Sequence, residues 1–180
     1  MSTLPILETL DPTSIDARAL RRVFACFPSG VTAICGVVDG VPVGMAASSF
    51  TSVSIDPPLV SVCVDNGSTT WPVLRGAGAI GVSVLGEGQD AVCRQLASRG
   101  GDRFAGLETH RTAEGAVLLG GSAAWLHCTV EDELPAGDHH IVLLRVQAYM
   151  AEPGLGPLVF HGSTFRVLQA RIEAEQGRCA

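Results

Sequence analysis

The 180-residue sequence contains no lysine. That excludes a Schiff-base lysine and a phosphate-loop lysine. A bound anion has to be held by the twelve arginines, by hydroxyls or by backbone N–H groups. No basic stripe offsets the net charge of −6, so nucleic acid is not an expected partner. Gly-x-Ser-x-Gly, His-Glu-x-x-His and close pairs of carboxylates in an apolar setting are all missing, which leaves no hydrolytic set. No apolar run reaches membrane-spanning length, because Gly, Ser and Asp interrupt every stretch. The N-terminus lacks a basic segment followed by an apolar core, so no secretory signal is read and a cytoplasmic protein is expected. Cys26, Cys35, Cys63, Cys93, Cys128 and Cys179 form no C-x-x-C pair and scatter through apolar segments. Without a signal, that pattern predicts reduced, buried thiols and no metal site.

What is present is apolar: 47% of the residues are hydrophobic. A chain of this length builds one domain with a sizeable core. So much apolar surface in a soluble domain suggests burial against a second copy, a homodimer. Residues 1–14 read as a loose arm, 15–169 as the domain and 170–180 as a polar tail with a possible helix over Ala170–Gly177.

Thr13-Ser14-Ile15-Asp16 looks like a helix start, and Pro28-Ser29-Gly30 its end. Val31 to Val38 and Val41 to Met45 flank Asp39-Gly40, a hairpin turn signal. Strands around Phe50 and Val60 follow. Ser68 to Arg75 reads as a short helix capped by Ser68 or Thr70, with Pro72 in its first turn. Ala79 to Leu85 is a strand. Glu87 to Arg99 is a helix with Val92 and Leu96 on one face, stopped by Gly100-Gly101. The segments 123–132, 140–150, 158–161 and 165–168 are further strands. Many short strands with two or three helices predict a mostly β chain, a barrel with added helices.

Gly76-Ala77-Gly78-Ala79-Ile80-Gly81 matches the dinucleotide fingerprint letter for letter. That motif requires a strand before it and a helix after it. Here the order is reversed, so the segment reads as a helix end and a turn.

Four segments carry candidate chemistry. The first is Gly44 to Pro58, where small residues and hydroxyls let a ligand approach the backbone before a Pro-Pro stop. Ser48, Ser49, Asn66, Ser68 and Thr69 fall at strand ends beside a helix start, suited to an anion, although the residues alone favour ordinary turn and cap chemistry. The second is Gly137-Asp138-His139-His140, where Asp beside His can fix one tautomer. Two adjacent histidines point to different sides of a strand, which argues against a metal. The third runs from Leu158 to Arg166 and includes His161 and Phe165. The fourth is Gly101-Asp102-Arg103-Phe104-Ala105-Gly106. Cys63 and Cys128 sit in apolar runs, where inert burial is expected.

In this order, these segments resemble the short-chain flavin reductases, the reductase partners of two-component monooxygenases. Pro28-Ser29-Gly30-Val31-Thr32 is similar to the family's opening segment, Gly44–Pro58 is the most specific match, and Gly137-Asp138-His139 follows. Gly162-Ser163 departs from the Arg-Gly usual in the family. The resemblance implies a split β-barrel of the FMN-binding type, a Greek-key six-stranded antiparallel barrel with flanking helices. It implies hydride transfer from NADH or NADPH to FMN or FAD, and release of reduced flavin to a separate monooxygenase. It assigns His139 to the nicotinamide pocket. It assigns Thr32, Met45, Ala46, Ala47, Ser48, Ser49, Cys63, Asp65, Asn66, Ser68, Thr69, Arg103, Phe104, His161 and Phe165 to cofactor binding. A split-barrel flavoprotein that keeps its flavin for another substrate, and a non-catalytic flavin-binding module, are the alternatives.

Overall fold

A computed structural model describes residue 7 and residues 9–169. The tail at 170–180, with its expected helix and Cys179, and most of the arm before residue 9 lie outside the described residues. The chain order is α1 (Ala17–Phe24), β1 (Ser29–Gly30), β2 (Thr32–Val38), β3 (Val41–Ala47), β4 (Thr51–Ser54), β5 (Leu59–Asp65), α2 (Trp71–Leu74), β6 (Ile80–Val84) and α3 (Asp90–Leu96). It continues with β7 (Thr109–Arg111), β8 (Val117–Leu119), β9 (Ala124–Ala136), β10 (His139–Ala151), β11 (Val159–His161) and β12 (Thr164–Arg166).

The expected mostly β architecture is present. Seven strands, rather than six, form the main antiparallel sheet in the order β3-β2-β6-β9-β10-β5-β4. Its two edges, β3 and β4, are consecutive in the chain, yet no pairing joins them among the described residues. This is the split in the barrel. Register shifts in β9–β10 and β4–β5 bend the sheet around it.

The core lies on both faces of β2. Ile34 packs with Val62, Leu74, Ile80, Val82, Val142 and Leu144. Its neighbours Ala33 and Cys35 face the other way, onto Leu85, Leu96, Val117 and Leu158. Alternation along a strand explains this, and it is why β2 reads as a continuous apolar run. Asp39 and Gly40 both take positive φ, 50° and 79°, as a tight hairpin turn requires.

Three details differ from expectation. Thr13 does not start α1: the Asp11 carboxylate accepts from the Thr13 N–H and the Thr13 and Ser14 hydroxyls. Asp16 is the cap, accepting from the N–H groups of Arg18 and Ala19. Ser29–Gly30 does not merely end the helix but pairs with β11. The short β7–β8 hairpin was not anticipated. The fingerprint-like segment falls between α2 and β6, as its reversed context requires. Its last glycine, Gly81, lets two backbones meet: a Cβ there would lie 2.1 Å from the Val117 carbonyl oxygen.

Candidate functional site

The split exposes a cleft of about 630 Å³ lined by Met45, Asp65, Gly67, Ser68, Thr69, Thr70, Arg99 and Arg103. Met45 comes from β3 and Asp65 from the end of β5, so the cleft lies beside the sheet's opening. Ser68–Thr70 lead into α2. The Ser68 hydroxyl accepts from the Trp71 N–H at 3.2 Å. Thr70 occupies the cap position without a capping bond, because its hydroxyl accepts from Arg103 Nη1 at 2.8 Å. The same Nη1 donates to the Gly44 carbonyl at 3.1 Å. Arg103 is thus fixed between β3 and α2, and does not pair with Asp102. The Asp102 carboxylate instead accepts from the Phe104 N–H at 2.9 Å, which shapes the loop. The Phe104 ring covers Gly44 so closely that a Cβ there would lie 2.9 Å from it.

A second group of bonds brings the His139 turn to this cleft. In the β5–β10 ladder His139 lies opposite Asp65. The Asn66 N–H donates to the Asp138 carbonyl at 3.0 Å, and its side-chain amide donates to the Gly137 carbonyl at 3.2 Å. Gly137 takes φ 67°, which glycine adopts without strain. Asp138 Oδ1 lies 2.7 Å from His139 Nδ1. The hydrogen bond from His139, joined by the ring's positive charge when it is protonated, holds the Asp138 carboxyl below the usual carboxylate range. An ionised Asp138 only accepts, so Nδ1 carries the proton, and Nε2 is the acceptor whenever the ring is neutral. Glu133 on β9 accepts from Trp71 Nε1 at 3.1 Å and pairs with Arg75 at 3.2 Å, tying α2 to the same hairpin.

Of the residues singled out from sequence, Met45, Asp65, Ser68, Thr69 and Arg103 line this one cleft, and Phe104 lines the adjoining one. Ala46 and Ala47 follow Met45 on β3. Thr32 is buried and donates to the Ala47 carbonyl at 3.0 Å. Ser48 is exposed at the turn between the sheet edges. The Ser49 hydroxyl is committed to the backbone of Cys63, donating to its carbonyl and accepting from its N–H. Asn66 is committed to the His139 turn. Phe165 lies elsewhere, packed on Phe160 with ring centroids 5.3 Å apart and under Arg94. His161 shares that three-stranded sheet. Thr70 and Arg99 were not foreseen. With lysine missing, an arginine directly before a glycine pair is the one available signal, and Arg99 precedes Gly100-Gly101. Cys63 corrects the expectation of burial: it is exposed, as is Cys26, while Cys35 and Cys128 are buried. Cys63 alternates with the inward-facing Val62 and Val64 of β5.

The donor chemistry fits a flavin phosphate: the hydroxyls of Ser68, Thr69 and Thr70 and the guanidinium groups of Arg99 and Arg103 line one cleft, together with the apolar side chain of Met45 and the Asp65 carboxylate. A separate groove of about 540 Å³ lies at the far end of the β9–β10 hairpin, lined by Leu118, Trp125, Tyr149, Met150, Glu108 and His127 among others. It is more apolar but includes no arginine, so it does not suit a phosphate.

The fold and this cleft define a split-barrel flavoenzyme. The chain belongs to the family described as "Flavin reductase like domain", which it matches over residues 24–169. It is 38% identical over 150 residues to a flavin reductase of Pseudomonas putida, covering 83% of this chain and 88% of the relative. It is 37% identical over 148 residues to the reductase subunit HsaB of a flavin-dependent monooxygenase of Rhodococcus jostii, covering 82% and 76%. The solved structure of a Streptomyces globisporus NADH:FAD oxidoreductase in complex with NAD and FAD fragments superimposes with a TM-score of 0.84 at 36% identity, covering 93% of this chain and 100% of that one. The chain is therefore an oxidoreductase that uses flavin and a nicotinamide nucleotide.

Proposed function

We propose that the cleft of Met45, Ser68, Thr69, Arg99 and Arg103 holds the flavin, and that the His139 turn holds the nicotinamide ring of the hydride donor against it. The observation that carries this reading is the stapling of the two parts: Asn66 fastens the His139 turn beside the loop that begins at Asp65 and leads into the phosphate-suited wall. The flavin, when bound, supplies hydride acceptance at N5.

The remaining work is positioning. Ser68 and Thr69 donate to the phosphate, and Arg99 and Arg103 neutralise it. β3 is an edge strand, with alternate backbone groups outside the ladder, so Met45 to Ser48 can meet the polar edge of the ring. His139 Nε2 accepts from the nicotinamide carboxamide. The open cleft suits a flavin that leaves after reduction and is delivered to a separate monooxygenase. This reading places the chain in the cytoplasm, where reduced nicotinamide nucleotide is supplied. No helix among the described residues is long and apolar enough to cross a membrane. Val23, Phe24 and Phe27 of the α1 region and Tyr149 and Met150 of β10 are exposed, which supports a homodimer.

The test is steady-state NADH oxidation with free flavin added. The reading predicts saturable dependence on flavin, a higher flavin KM for Arg103→Ala and a higher NADH KM for His139→Ala. Turnover independent of added flavin would refute flavin as a substrate, and unchanged constants in both variants would refute the placement.

A further inference from the structure

One carboxylate stands on the core face of the main sheet. Val142 and Leu144 of β10 are buried in the core, and their ladder partners on β9 are Glu133 and Val130. Directly opposed residues share a face, so Glu133 points where Val142 points. The register shift between Leu143 and Leu144 turns it that way. The shift leaves one extra residue, Glu131, on β9 and reverses the alternation beyond it, so Glu133 takes the face of Cys128 and Val130. Its side chain is only 17% exposed. An acid in that position needs partners, and both oxygens have one: Oε2 accepts from Trp71 Nε1, and Oε1 pairs with Arg75.

We propose that Glu133 is a positioning residue for the flavin phosphate, acting through the indole of Trp71. The inference rests on the reading of the Ser68, Thr69 and Arg103 cleft as the phosphate site. Residues 65–71 carry Ser68 and Thr69, and the β9–β10 hairpin holds this segment at both ends. At its start, Asp65 is paired with His139 and Asn66 bonds to Gly137 and Asp138. At its end, Trp71 is buried and bonds to Glu133. The Trp71 N–H also donates to the Ser68 hydroxyl, and its neighbour Thr70 bonds to Arg103. Fixing the indole therefore fixes the hydroxyls and the guanidinium relative to each other. Glu133 itself does not line the cleft.

The experiment is steady-state NADH oxidation by the purified full chain with FMN and, separately, with riboflavin, which has the same ring and no phosphate. Glu133→Ala removes the acceptor, Glu133→Gln keeps one, and Trp71→Phe keeps a buried ring without its N–H donor. Thermal melting checks each fold, and Trp71→Phe with Glu133→Gln decides the matter if Glu133→Ala does not fold. Glu133→Ala and Trp71→Phe should each raise the KM for FMN about fivefold or more, the effect of one ordinary hydrogen bond. The kcat and the KM for riboflavin should stay within roughly twofold, and Glu133→Gln should restore the KM for FMN to that same range. Equal changes for FMN and riboflavin, no change for either, or a Gln variant as defective as the Ala variant overturns the inference. Arg103→Ala separates the underlying reading: if that variant also treats FMN and riboflavin alike, the phosphate is not in this cleft and both fall. If Arg103→Ala discriminates between them while Glu133→Ala and Trp71→Phe do not, the inference alone falls.

Discussion

Gly44→Ala tests how the site is built, because Gly44 touches three of its supports at once. It lies buried on β3 opposite Cys35, and its carbonyl holds Arg103. An added Cβ would lie 2.5 Å from Cys35 Sγ, 3.1 Å from Cys35 Cβ and 2.9 Å from Phe104 Cζ. Phe104 is half-buried and lines the cleft that adjoins the Arg103 site, so its ring has open space beside it. Cys35 is fully buried between β3 and the second core, so it cannot retreat without displacing neighbours. Overpacking of this kind costs roughly 1–3 kcal/mol. Displacing Phe104 also drags its neighbour Arg103 from the Gly44 carbonyl. A charge-assisted bond of this type contributes roughly 1.5–3 kcal/mol, so flavin affinity should fall about tenfold or more. Urea unfolding followed by the fluorescence of Trp71 and Trp125 measures the first effect, and flavin titration the second. Cys35→Ala on its own should cost about 1 kcal/mol for its small cavity. Combined with Gly44→Ala it should cost less than the sum of the two, because the sulfur clash is gone. A Gly44→Ala protein with unaltered stability and unaltered flavin affinity would refute the packing argument.

Gly81→Ala should unfold the protein or destabilise it by roughly 3 kcal/mol or more, since its Cβ would meet backbone rather than a movable side chain; a stable variant that has lost only nucleotide binding would revive the dinucleotide fingerprint. Ser163 sits at φ 60° in the turn between β11 and β12, and Ser163→Gly should raise stability by roughly 0.5–1 kcal/mol by relieving that strain; a lower urea midpoint would contradict this. Burial pushes the Cys35 and Cys128 thiols from 9.0 up to about 12. Above pH 9 the unfolded chain releases these protons while the folded chain keeps them, so stability should fall between pH 9 and 12, by up to about 1.4 kcal/mol per pH unit per thiol. Cys128→Ala should shallow that slope, and an unchanged slope would show that the thiols are not its source.

Local chemistry made much of the fold legible. Asp39-Gly40 named its hairpin because few sequences accept two consecutive positive φ values. Val92 and Leu96 gave the inward face of α3, and both pack on the second core. The reversed order around Gly76–Gly81 is enough to exclude a Rossmann-type dinucleotide fold. What escaped depends on contacts distant in sequence. β7 and β8 are three residues each, too short for periodicity to register. Cys63 read as buried because most of β5 is apolar, yet only alternate residues of a strand face one side. Within the site, Ser68, Thr69 and Arg103 were legible as hydroxyls and a cation at turns. The bond from Arg103 to Thr70, across 33 residues, and the bond from Trp71 to Glu133, across 62, exist only once the sheet has curved. The sequence puts His139 at the entrance to the apolar strand that is β10, but only the ladder shows that it stands opposite Asp65.

The most direct measurement is a crystal structure of the chain with flavin bound. The account predicts the flavin phosphate within hydrogen-bonding distance of Ser68, Thr69 and Arg103, with the ring along Met45 to Ser48 and one face open toward His139. A flavin seated instead in the groove of Trp125, Tyr149 and Met150, or a phosphate that touches neither Arg99 nor Arg103, would contradict it.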